Sequence, residues 1–464
     1  MKTLLRCLLA AVIVLALARS AVAKVKPKNF GTVYQGVSAI ALDSTGFPHV
    51  AYQGVDSHLH HAWFDGLKWQ RELVDGASEG GRGNSVAIDA QGHIHITHET
   101  ASGLAYASFD GSSWHLTDLG VTGSRTHLQL DAFGHPHVLF SNFYGGLGYA
   151  RFDGAHWQIE EYALPGSWYS SGLAVDAEGH AHVSYSVNYS GCFYATNKSG
   201  SWETTALVPD TAAATAIVLT PAGEPRVLVG GGSQLFYFSF DGANWTNEVV
   251  ADFQPADPNV RAFIEADTAM SMDDQGRPQS LVPVYLTSGN RYVDVLVFAF
   301  GDGVGWNALL VDGKNTGFYP SIALDADGVA YGTYSSPLLH DQYAKAKWVR
   351  IALPDLSGAW TNVVVTGSTV TGRLTVRNTG LDKSSRTDMS LWLSDDTLVD
   401  LGDELLPVTA GVKSLKPGSA TEIAVEFEHS GSLAGKHLIA IVDPSVVTAD
   451  RNRVDNVVAT ALGD

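Results

Sequence analysis

From Val37 to about Leu353 the chain alternates apolar and polar side chains in short runs, as in Pro48-His49-Val50-Ala51-Tyr52, and each run stops at a turn built on Asp and Gly. Alternation of period two predicts β-strands with one buried face. No helical period interrupts them, so the pattern predicts an all-β region of short antiparallel strands joined by tight turns.

The turns recur in register. Asp43, Gly46 and His49 begin an Asp-x-x-Gly-x-x-His series that continues at Asp89, Gly92, His95, at Asp131, Gly134, His137 and at Asp176, Gly179, His182. Degenerate copies follow at Thr220, Gly223, Arg226, at Asp273, Gly276, Gln279 and at Asp325, Gly328, Tyr331. A second signature, Phe-Asp-Gly-x-x-Trp, spans Phe64 to Trp69, Phe109 to Trp114, Phe152 to Trp157 and Phe240 to Trp245, with variants ending at Trp202, Trp306 and Trp348. In both, Asp accepts a hydrogen bond from the backbone ahead and Gly takes the positive φ of the turn. Seven units of four strands result. The residue before each turn is large (Leu42, Ile88, Leu130, Val175, Leu219, Met272, Leu324), and the one before that is mostly small. Sheets stacked face to face around an axis need that complement, which favours a seven-bladed β-propeller of four-stranded antiparallel blades over an open solenoid. Residues 24–36, Phe30 to Tyr34 above all, are expected to supply the outer strand of the last blade.

The units resemble a bacterial propeller repeat of the form S-I-A-x-D-x-x-G-x-P-H-V-x-Y, related loosely to Asp-box and neuraminidase-repeat propellers. The resemblance covers residues 37–353. It implies the fold and no activity, because such propellers host binding, hydrolysis and lyase chemistry alike.

From Pro354 the repeat stops and longer alternating strands begin. Pro354-Asp355-Leu356, Val376 to Gly380, Leu391 to Asp396, Leu415 to Gly418 and Asp450 to Asn456 resemble the bacterial CARDB adhesion-related domain, which implies an immunoglobulin-like β-sandwich over 354–464. At the other end, Lys2 and Arg6, an apolar run from Leu8 to Ala18 and Ala21-Val22-Ala23 form the pattern of a secretory leader over 1–23. That leaves 24–353 for the propeller and predicts a secreted or periplasmic protein. The leader is too short to span a bilayer and no later run is long enough.

Composition then narrows the partners. A net charge of −19 argues against nucleic acid and anionic membranes. The only cysteines are Cys7, within the leader, and Cys192, so no intramolecular disulfide is expected. Asp395, Asp396, Asp400, Asp403 and Glu404 offer several oxygens from one loop, the donor type calcium takes, but not with EF-hand spacing, and a solvated acidic turn is the preferred reading. The pairs His93 and His95, His135 and His137, and His180 and His182 suggest a metal at first sight, yet residues repeated at one place in successive blades read as structural. No cofactor or metal is expected.

Function belongs where the units differ, on segments entering the first strands and joining the second to the third. These supply the candidate ligand-binding residues Arg82, His98, Arg125, His127, Tyr144, Trp168, Tyr169, Tyr189, Arg261, Tyr285 and Tyr319. Aromatic faces beside directed polar groups suit a carbohydrate. His127 and Gln129 also replace small residues in an inner strand directly after Arg125, and His127 is a candidate general base or a cross-channel hydrogen-bonding group. Catalytic residues stay unassigned. The expectation is a monomeric exported binding or adhesion protein that recognises a polysaccharide or surface glycoprotein at one channel mouth. A propeller lyase or glycoside hydrolase acting on an acidic glycan is the alternative, and a protein-interaction scaffold the second.

Overall fold

The computed structural model describes residues 25–34, 38–77, 80–142, 145–165, 170–187, 190–209, 214–264, 267–313, 316–337 and 343–463. The predicted leader and the candidates Tyr144, Trp168, Tyr169 and Tyr189 lie outside them.

The repeats fold locally, as their turn chemistry requires. Asp43 Oδ1 accepts the N–H groups of Thr45 at 2.8 Å and Phe47 at 2.9 Å, with Gly46 at φ +81°. Asp89, Asp131, Asp176, Asp273 and Asp325 close the same turn. The second signature works alike: Asp65 Oδ1 accepts from Leu67 and Lys68, with Gly66 at φ +91°. Between these turns the strands pair antiparallel into seven sheets among the described residues. Sheet one comprises Ser38–Leu42, Pro48–Gln53, Leu59–Phe64 and Trp69–Asp75 in that order. Sheets two to five repeat this arrangement, and in sheet six the first strand is split into Arg261–Ile264 and Ala269–Met272, both paired with Pro278–Ser288.

Sheet seven takes its outer strand from the start of the chain: Lys28–Tyr34 pairs antiparallel with Tyr343–Ile351. The first strands of sheets one to seven pack side by side in sequence, and that of sheet seven packs against that of sheet one. A cycle of contacts is a closed ring, so this unit is a seven-bladed β-propeller.

Its core is distributed between blade faces. Phe30, Val33, Ala346 and Trp348 of sheet seven bury against Ile40, Val50, Tyr52 and Ala62 of sheet one, and comparable clusters join the next sheets in turn. The repeated histidines are part of this packing. His95, His137 and His182 bond through Nδ1 to the hydroxyls of Tyr106, Tyr149 and Tyr194 at 2.5, 2.5 and 2.6 Å. Their Nε2 atoms face the turn carboxylates Asp89, Asp131 and Asp176. Burial depresses the pKa of all three imidazoles.

The second unit is a β-sandwich. Leu356–Thr366, Thr369–Asn378 and Ala420–Glu428 form one sheet; Glu404–Val412, Thr387–Ser394, His437–Val442 and Val457–Ala461 form the other. Leu374, Val376, Leu391, Leu438 and Ala440 fill the space between them. Asp450, fully buried, accepts from Leu356 N–H, Asn452 N–H and the Asn456 amide, and burial pushes its carboxyl up to about 8. In the acidic loop, Asp395 pairs with Lys436 and Glu404 with His429, while an Asp403 oxygen closes the turn at Asp400 N–H.

Candidate functional site

The inner strands begin around a cavity of about 340 Å³ at one mouth of the propeller channel. One repeat position builds its rim. Six residues before each turn Asp stand Gly83, Arg125, Asp267 and Tyr319 in sheets two, three, six and seven. All four have left-handed backbone, at φ +52°, +50°, +70° and +50°. In sheets two, three and seven the strand register shifts at this point, between Arg82 and Ser85, Ser124 and His127, and Phe318 and Ser321. In sheet six the first strand breaks there. A bulge in a strand re-aims a side chain that would otherwise follow the pleat. Sheet five shows the contrast, since Ala214 holds this position in regular register with Gly230.

The re-aimed side chains meet. Arg125 Nη1 lies 3.3 Å from Asp267 Oδ1, and its guanidinium is 6.0 Å from the centre of the Tyr319 ring. Three sheets thus contribute to one cluster. Gly83 fits tightly beneath it, because a Cβ there would stand 2.5 Å from Arg125 N. Next to Gly83, the Arg82 guanidinium sits 5.2 Å from the ring centre of Tyr34, which comes from the strand that closes the ring. Burial raises the Glu99 carboxyl against the opposing pull of Arg82.

The strain of the cluster can be set against its ion pair. Three non-glycine residues in left-handed backbone cost on the order of 1–3 kcal/mol each. The Arg125–Asp267 pair, with side chains 41% and 28% exposed, returns at most about 1 kcal/mol. The conformation is therefore not repaid by this ion pair, and strain of this kind concentrates at ligand sites.

Deeper in the wall, Thr126 Oγ1 donates to the Gly83 carbonyl at 2.7 Å, and Leu128 N–H donates to Ser85 Oγ at 3.0 Å, tying blade two to blade three. Ser38 Oγ, Asn84 Oδ1 and Thr268 Oγ1 are buried, line the cavity and have no hydrogen-bond partner among the described residues. His127 is half-buried in the same wall, paired with Leu139 in the strand ladder, and its imidazole makes no hydrogen bond to another described residue. Desolvation first, and then the Arg125 charge, push its imidazole down to about 4.

Of the residues nominated from sequence, Arg82, Arg125, His127 and Tyr319 come together here. Others do not line the cavity. His98 is buried, its Nε2 3.8 Å from Asp75, because its strand turns that side chain into the interface between blades. Arg261 is exposed on the first segment of the split strand, and Tyr285 stacks on Tyr292. The lining residues Ser38, Asn84, Asp267 and Thr268, and Tyr34 behind Arg82, escaped sequence reading. Aligning the repeats six residues before the turn would have exposed Asp267, whereas Tyr34 is brought in only by ring closure.

A metal-ligand arrangement occurs elsewhere, where ligand atoms of Asp176, Glu178 and His180 lie within 4.8 Å of one another. Asp176 Oδ1 already accepts from the N–H groups of Glu178 and His180, and Oδ2 faces both His180 and His182. These are the bonds of the repeated turn.

Residues 353–460 match the CARDB family model, so the sandwich is a CARDB domain. No curated protein sequence matches the chain. Solved structures similar to it include AofleA from Arthrobotrys oligospora, at 13% identity and TM-score 0.42, covering 62% of this chain and 90% of that one. The Aleuria aurantia lectin, a six-bladed β-propeller, matches at 17% identity and TM-score 0.40, covering 62% and 98%. YCF48 bound to a D1 peptide matches at 17% identity and TM-score 0.45, covering 71% and 96%.

Proposed function

We propose that this chain is an exported carbohydrate-binding protein whose propeller takes its ligand at the channel mouth, with the CARDB domain as spacer or adhesion module. One observation carries the reading: Arg125, Asp267 and Tyr319 share a repeat position, share a strained backbone and meet at one cavity. A saccharide needs charged donors and acceptors in fixed directions plus an aromatic face for its C–H surface. The cluster offers all three, and the buried oxygens of Ser38, Asn84 and Thr268 add hydrogen-bonding capacity that the described protein leaves unused. Hydrogen bonds to a charged group contribute about 1.5–3 kcal/mol each. Arg125→Ala and Arg82→Ala are therefore expected to weaken binding at least tenfold on a broad glycan array probed with the full chain. Uniform non-binding by the wild type, or unchanged binding by both variants, overturns the reading.

A second reading rests on His127. An imidazole in the cavity wall, whose ring nitrogens bond to no described residue and which lies within the field of the Arg125 guanidinium, has the placement of a base that removes a proton next to a carboxylate. This is the lyase alternative. Incubation with uronic-acid polysaccharides then raises ultraviolet absorbance as unsaturated ends form, and His127→Ala abolishes the rise; a flat trace with every polymer eliminates it.

A further inference from the structure

A second cavity, of about 330 Å³, is lined by the strand Lys28–Tyr34 and by sheet one, and shares no lining residue with the channel mouth. Its polar groups are Thr32, Tyr52, Asp56, His60 and Arg71, and its apolar wall includes Val33 and Val55.

Two of these groups, Arg71 and His60, differ from the residues at the same places in sheets two to five. Arg71 stands opposite Ala62 in the strand ladder, and the corresponding positions in sheets two to five hold Leu116, Ile159, Thr204 and Asn247. His60 pairs with Tyr52; the corresponding pairs are Ala105 with His98, Gly148 with Phe140, Phe193 with Tyr185 and Phe236 with Val229. Among these five sheets, only sheet one combines a cation, an imidazole and a tyrosine. None of the four other sheets places a cation at the Arg71 position or an imidazole at the His60 position.

Each group is also held in place. Arg71 Nη2 donates to the Phe30 carbonyl at 2.6 Å, and the guanidinium lies 5.1 Å from the Phe30 ring centre. His60 stacks on Tyr52, with ring centres 5.5 Å apart and planes 22° apart, and its Nε2 is 2.9 and 3.0 Å from the two Asp56 oxygens. Gly54 leaves room for this arrangement, since a Cβ there would come within 2.7 Å of both Asp56 and His60.

We propose that this cavity is a second saccharide site, and that it takes one neutral pyranose ring. A guanidinium carries five N–H donors, and an aspartate accepts from hydroxyls, so the pair matches adjacent sugar hydroxyls that both give and receive hydrogen bonds. The opposite charges of Asp56 and Arg71 balance, which matches a ring without a charge of its own. The apolar wall suits the C–H face, and the volume is that of a small-ligand site.

The test is calorimetric titration of the full chain with methyl glycosides of common neutral hexoses, 6-deoxyhexoses and N-acetylhexosamines, and with a methyl glucuronoside as the anionic comparison. At least one neutral glycoside should bind the wild type with an affinity that falls at least tenfold in Arg71→Met, and this binding should persist in Arg125→Ala, where the channel-mouth site is removed. Val55 is 54% exposed at the cavity edge, so Val55→Arg obstructs the site without touching the core and should weaken binding alike, even where Arg71→Met fails to fold. Binding by none of the neutral glycosides, preference for the glucuronoside, or affinity unchanged in Val55→Arg overturns the proposal. Loss of binding in Arg125→Ala alone assigns the effect to the channel mouth and overturns it too.

Discussion

Gly83 carries two constraints in one residue: a backbone at φ +52° and a neighbour, Arg125 N, 2.5 Å from where a Cβ would be. Gly83→Ala is expected to destabilise the propeller by about 1–3 kcal/mol and to displace Arg125. Chemical denaturation checks the first effect, and glycan binding no weaker than wild type would remove the second. Tyr149 tests the buried histidine bonds. Tyr149→Phe leaves His137 Nδ1 without its 2.5 Å partner in a buried site and should cost about 1–3 kcal/mol. A loss within error of zero would mean that the repeated Tyr–His bonds do not contribute to stability. The histidine repeats were legible as structural from their regularity, while the identity of their tyrosine partners, eleven or twelve residues away across the ladder, was not.

Among elements, the strand Lys28–Tyr34 has the largest expected effect for its length. It covers the open edge of sheet seven, seats Phe30 between Tyr52 and Trp69, and supplies Tyr34 to Arg82. Exposed strand edges template association with other chains. Removing residues 28–34 should lower the melting temperature and produce oligomers on size-exclusion chromatography; a monomer with wild-type melting would show that closure is dispensable. The place of this strand was legible because an alternating segment preceding the first repeat matches the strand the last repeat lacks. The bulges in the inner strands were not. They shift register by a residue without altering the apolar pattern on either side, so Arg125 and Tyr319 could be nominated as variable residues but not oriented.

At the scale of the molecule, the propeller is held together by interfaces that bury imidazoles in neutral form. His49, His95, His98, His137 and His182 all have depressed pKa values through burial, and His49 and His127 come down to about 4. His49 is further lowered by His61, against the opposing carboxylates Asp43 and Glu72. The unfolded chain takes up these protons near pH 6.5, the folded chain only near 4 for His49 and His127, so between those values the unfolded state binds more protons. Stability should therefore fall as pH drops from about 6.5 towards 4, beyond what carboxylate titration explains. Denaturation midpoints measured across that window check the sign, and a midpoint that is flat or rises on acidification contradicts it.

Strand period, turn chemistry and repeat number were determined by the sequence alone, because each depends on residues within a few positions of one another. So was the CARDB character of the tail. Only the tertiary structure decided which residues of the variable segments meet. Arg125, Asp267 and Tyr319 are far apart in sequence and stand in sheets three, six and seven; their approach requires both a closed ring and a backbone bent out of register at each strand. Closure is a sum over all seven interfaces and the bend is a local strain tolerated because the surrounding sheets hold it, so neither leaves a periodic trace in the chain.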